Sequence, residues 1–234
     1  GQHETNRAHF ARGAKIAKLT FSCKAKEPLR VTVDLMAQDE AWNGGNWEDG
    51  VAAPVNATTP VPYPATLNLP FRFDIGQVYL GGTYTLVSGE LVRAAGSAHG
   101  YVEAAEIVVE MPQEQVWVLN NKPTAGAIRD LGRVVTAKLD VSWIGADYNF
   151  STAHRAFTET AVQLHFVGAQ IDPNPYYYEM DITLPRVVHV DAAPPDIAGA
   201  KDRRVQTVNY QGLRYSATVP YDFGLVIQNT ETSI

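Results

Sequence analysis

Apolar and polar residues alternate with a period of two along most of the chain, the pattern of strands with one buried face. Leu19, Phe21 and Cys23 alternate with Lys18, Thr20 and Ser22; Leu29, Val31, Val33 and Leu35 alternate with Arg30, Thr32 and Asp34. Lys24 to Pro28, between the two runs, reads as a hairpin loop. The cleanest run is Val135, Ala137, Leu139, Val141 and Trp143 against Thr136, Lys138, Asp140 and Ser142. Further strands are predicted around Ala105 to Met111, Val162 to Phe166, Tyr178 to Leu184, Arg204 to Tyr215 and Phe223 to Ile227, with Gly212 bending the fourth of these. Shorter strands are expected near Phe71 to Phe73 and Thr83 to Val92. The order strand, turn, strand of Lys15 to Met36 is faintly echoed in Tyr176 to Tyr215.

One segment reads as helix. Ser151 is placed to cap Thr152 to Thr158, with Ala153, Ala156 and Phe157 on one face. So short a helix must be held by packing against a sheet. Gln38 to Pro70 breaks the alternation. It carries Trp42, Trp47 and three glycines, then Pro54, Pro60, Pro62, Pro64 and Pro70. Proline lacks the ladder donor, so this stretch is expected to be a long loop, functional or disordered, and not a central strand.

Composition narrows the classes. Of 234 residues, 45% are apolar and 19% charged, a balance that supports a packed core. No run approaches the roughly 18 apolar residues of a membrane-spanning helix. The single Cys23 cannot form an internal disulfide and fits a reducing compartment; its neighbours predict a buried thiol. The net charge of −6 argues against a surface that grips nucleic acid, but not against one that nucleic acid slides past.

Catalytic constellations are not found. The histidines at 3, 9, 99, 154, 165 and 189 lack metal-ligand spacing, so no metal and no cofactor is expected. Gly96-Ser97-Ala98-His99-Gly100 has the wrong order for a serine nucleophile turn. The pairs Glu106/Glu110 and Glu179/Asp181 fall on polar strand faces, where solvation is the plain reading. His165 and His189 read as surface or interface residues. Trp42 and Trp47 leave two alternatives. Exposed loop aromatics stack on sugar rings, whereas tryptophans buried at a subunit contact serve assembly.

The colinear order of these segments resembles the tail tube proteins of long-tailed phages. Ala14 to Asp39, ending in Val31-Thr32-Val33-Asp34-Leu35-Met36, resembles that family's mid-chain hairpin. Leu69-Pro70-Phe71-Arg72-Phe73-Asp74 followed by Val78-Tyr79-Leu80-Gly81-Gly82 resembles its next strand and tight turn. Gly132 to Trp143 with Ser151 to Thr160, and the ending Tyr221 to Thr230, complete the likeness.

The resemblance implies an all-β tail-tube sandwich or barrel with one short flanking helix, its sheets joining those of neighbours into a ring barrel. Residues 1–234 would form one tail tube domain. Within it, 14–39 would be the end of a truncated first repeat, 38–70 an inter-subunit loop, and 70–234 the core sandwich. The implied function is structural, not enzymatic: stacked rings forming the conduit for DNA at ejection, located in the virion tail and assembled in host cytoplasm. The implied partners are further copies in hexameric or pseudo-hexameric trimeric rings, a tape measure protein and a tail terminator, with no membrane. Viral DNA would pass without specific binding. Glu106, Glu110, Asp140, Glu179 and Asp181 become candidates for the lumen, and Trp42, Trp47 and Tyr63 for ring contacts. The alternative is a carbohydrate-binding or adhesion sandwich of a virion.

Overall fold

The computed structural model describes residues 9–42, 71–117, 119, 126–142, 150–171, 175–191, 205–214 and 221–228. Strands dominate. In chain order they are β1 (His9–Arg12), β2 (Lys15–Lys24), β3 (Arg30–Met36), β4 (Asp39–Trp42), β5 (Gly76–Leu80), β6 (Tyr84–Val87), β7 (Glu90–Arg93) and β8 (Ser97–Ala98). There follow β9 (Val102–Glu110), β10 (Gln113–Val116), β11 (Ala127–Asp130), β12 (Val134–Ser142), one helix α1 (Phe150–Arg155), β13 (Thr160–Gln170), β14 (Tyr177–Asp191), β15 (Val205–Gly212) and β16 (Gly224–Gln228). No described helix is long and apolar enough to cross a membrane.

The residues group into two compact units. The larger holds Thr20–Val31, Leu69–Val109 and Val134–Ile234. The smaller holds Gly1–Leu19, Thr32–Asn68 and Glu110–Arg133. The main sheet runs in the order β3-β2-β9-β12-β15-β14-β13-β5-β8, with β16 pairing β14. Among the described residues it does not close on itself, so it ends in edges at β3 and β8.

Alternation builds the core of the larger unit. Ile107, Val135, Leu139, Val162, Leu164, Ile182, Leu184 and Val208 are buried, and their register neighbours set the opposite face. Ala137 lies across from Tyr210 and Leu139 from Val208, while Thr136 faces Gln211 and Lys138 faces Asn209. Pro185 sits inside β14, where a proline is tolerated only at an irregularity. The register supplies one: Thr160 pairs Val187 and Val162 pairs Leu184, so Pro185 and Arg186 oppose Ala161 alone. This bulge leaves Val187 and Leu184 on the same buried face despite their odd spacing.

The smaller unit is held by polar crosslinks. β1 pairs β4, and Arg12 bonds the buried Asp39 carboxylate at 2.9 Å, supplying the partner a buried charge requires. β10 pairs β11, and Lys15 reaches Asp130 at 3.0 Å and the Ile128 carbonyl at 3.1 Å.

Several expectations change. Asp39–Trp42 is strand and not the start of the long loop, whose remainder, 43–70, lies outside the described residues. Phe71 to Phe73 makes one bridge, Pro28 to Arg72, and a 3-10 turn (Phe73–Ile75) in place of a strand. The helix starts at Phe150, so Ser151 lies within it and does not cap it. Phe157 is exposed at positive φ, and Phe150 supplies the buried contact. His189, expected at the surface or an interface, is buried within the chain at 3% exposure.

Candidate functional site

Three surfaces bear on function. The first is the edge strand β3. Its alternation predicts a buried face, yet Val31, Val33 and Leu35 are 47%, 46% and 61% exposed. The turn before it is fixed: Lys26 adopts φ +69°, the Leu29 N–H donates to the Phe71 carbonyl at 2.7 Å, and the Phe73 N–H donates to Glu27 at 3.2 Å. An ordered edge with an apolar row is a template for another chain. On the smaller unit, Trp117 after β10 is also exposed, and no alternation in the sequence around it marks it.

The second is the polar face of the main sheet. Glu106 is exposed between buried Ala105 and Ile107. Asp140 lies opposite Thr207, whose hydroxyl donates to it at 2.7 Å. Gln211, opposite Thr136, is also opposite Val188, which carries this face onto β14; beyond the bulge it continues through Thr183, Asp181 and Glu179. Four acidic candidates thus share one side of the larger unit's sheet. Glu110, at the end of β9, belongs to the smaller unit and pairs there with Lys18 at 2.8 Å. Lys138 on β12 and Lys24 on β2, each on the side away from its strand's buried residues, are basic residues of this face.

The third is a cleft on that same face, where hairpin β6–β7 lies over β13 and β14. Tyr84, Leu91 and Ala161 form its buried cluster, and the Tyr84 hydroxyl makes a long bond of 3.5 Å to Gln163. Burial pushes the Tyr84 pKa up. Arg93 stacks 3.2 Å over the Tyr79 ring. Beside it, His165 Nδ1 lies 2.7 Å from Asp181 and 3.4 Å from Glu179. The hydrogen bond to Asp181 holds the His165 pKa above its ordinary value, against the effect of burial. Glu179 and Asp181 are therefore half-buried partners of a histidine, not the freely solvated pair their spacing predicts. The sequence distance of 14 to 16 residues hid the cluster; the antiparallel pairing of His165 with Asp181 creates it.

A separate apolar cavity of about 230 Å³ is lined by Cys23, Phe73, Gly76, Leu164 and Phe166, among others. Burial pushes the Cys23 pKa up to about 11, so the thiol stays protonated and inert, as expected for a core cysteine. Of the ring-contact candidates, Trp42 ends β4, and Trp47 and Tyr63 lie outside the described residues.

A family model described as phage tail tube protein matches residues 2–212. No curated protein matches the chain in sequence. Among solved structures, it is similar to the tube-terminating cap of the anti-feeding prophage, with TM-score 0.42 and 9% identity over 71% of this chain and 97% of that one. It is also similar to a chain of the six-fold symmetrised anti-feeding prophage baseplate, with TM-score 0.36 and 13% identity over 71% and 97%.

Proposed function

The chain belongs to the phage tail tube family, and from that premise we propose that its copies close into rings that stack as the conduit for viral DNA. Its role is structural, in the tail of the virion. The observation that supports ring closure is the bare edge at β3, with Val31, Val33 and Leu35 in water. A neighbouring sheet added there pairs the free backbone groups and covers the apolar row at once. Rings of six copies, or of three if the chain carries a duplication, both meet that requirement.

Within such a ring the polar face carrying Glu106, Asp140, Glu179 and Asp181, with Glu110 at the end of β9, would line the bore. Carboxylates there repel phosphates, so DNA passes without adhering, whereas a lysine-lined bore would hold it. Trp42, Trp47 and Tyr63 are assigned to contacts with an adjacent subunit or ring. Catalytic turnover has no part in this role. Assembly takes place in host cytoplasm, around a tape measure protein and up to a terminator.

Val33→Lys tests the reading. Val33 is exposed, so the variant is expected to fold with unchanged circular dichroism and yet fail to form rings or tubes in negative stain. Tubes formed as readily as by the parent would overturn the edge-pairing account. Salt-sensitive binding of the assembled tubes to duplex DNA would sink the acidic bore.

A further inference from the structure

The geometry points to a divalent transition-metal site at His165, Glu179 and Asp181, held in the cleft beneath hairpin β6–β7. This goes beyond the tail tube role and does not depend on it. One imidazole nitrogen and two carboxylate oxygens converge so that all three ligand atoms lie within 4.8 Å of one another. They project from two paired strands on one face: His165 directly opposite Asp181, and Glu179 two residues along, opposite Val167. Strand pairing on both sides of β14 fixes these positions, since β16 sets Glu179 against Gln228 and Asp181 against Val226.

The spacing suits an ion. Two ligands each about 2.0–2.1 Å from a tetrahedral zinc lie roughly 3.3 Å apart. The His165–Glu179 separation of 3.4 Å meets that value. The 2.7 Å between His165 and Asp181 is the hydrogen-bonded distance, and a small rotation of the carboxylate opens it for a metal. A nitrogen with two carboxylate oxygens selects borderline ions such as Zn²⁺ or Co²⁺ over Ca²⁺ and Mg²⁺, which take all-oxygen shells. The cleft leaves room for water to complete the shell, and its wall offers the side-chain amides of Gln163 and Gln228. Arg93, on the Tyr79 ring, is the one opposing charge at this wall among the described residues; the two carboxylates outweigh it. A bound ion would tie β13 to β14 beneath the hairpin.

The test uses the full chain, stripped with chelator, dialysed against Zn²⁺ or Co²⁺, and assayed for bound metal after gel filtration. One equivalent per chain is expected, with a cobalt d–d spectrum of a mixed nitrogen and oxygen shell and a raised Tm. Glu179→Gln and His165→Gln should each weaken uptake about tenfold or more. Glu179 is the less buried of the two, so its variant folds even if the histidine variant does not. Glu106→Gln, on the open part of the same face, should leave uptake unchanged. Substoichiometric uptake by the parent, or uptake by Glu179→Gln equal to the parent's, overturns the site.

Discussion

Leu139 has no exposed surface, whereas Val33 on β3 keeps nearly half of its own, so substitutions at the two positions separate core from contact surface. Leu139→Ala removes apolar atoms and leaves a cavity between β12 and β15; the expected loss is about 2–5 kcal/mol in chemical denaturation. Val33→Lys should change monomer stability by no more than about 0.5 kcal/mol, because its side chain already meets water. A second residue-scale prediction concerns His189. Burial first, and His154 nearby, push its pKa from 6.5 down to about 4. The folded state thus holds the neutral imidazole, packed 4.5 Å from the Tyr210 ring. Stability from this group is present above the ordinary value of about 6.5 and is lost as pH falls towards 4. Thermal unfolding between pH 7 and pH 4.5 should show that fall, and His189→Phe should flatten it. An unchanged slope in the variant contradicts the assignment. Leu139 was legible because its neighbours alternate; His189 was not, because the bulge at Pro185, four residues earlier on the same strand, resets which side of β14 faces the core.

At the scale of elements, the tight turn after β5 depends on two glycines. Gly81 and Gly82 adopt φ +77° and +95°, and a Cβ on Gly82 would strike the Ala95 carbonyl. Gly82→Ala combines strained φ with that clash, and is expected to lower stability by about 2 kcal/mol or more in urea unfolding. Gly89, also at positive φ but with open space around it, should cost less on the same substitution. This turn was readable from Gly81-Gly82 themselves, as were the long strands β2, β9, β12, β13 and β14 from their alternation. The short strands β1, β4, β10 and β11 were not. Four residues carry too few alternations to signal a strand, and tertiary pairing, such as Arg12 with Asp39, makes them. The helix was recognised but misplaced, since Ser151 looks like a cap while Phe150 is the residue that the sheet buries.

At the scale of the molecule, the all-β class was legible in the period-two alternation and the family in the colinear order of segments; the observed strands bear out the first and the match over residues 2–212 the second. The metal-like cluster was invisible there, because His165 and Asp181 meet only through strand pairing. What a single chain leaves undone is its sheet, which runs from β3 to β8 without closing among the described residues. Covered edges make stable assemblies and exposed apolar edges make uncontrolled ones, so β3 needs a partner of defined geometry. Electron cryo-microscopy of the purified chain at high concentration measures this most directly. The expected image is rings or open-ended stacks with a central channel, a neighbouring strand paired along β3, and acidic residues at the bore. A chain that stays monomeric at every concentration, or assembles with β3 facing solvent, would contradict it.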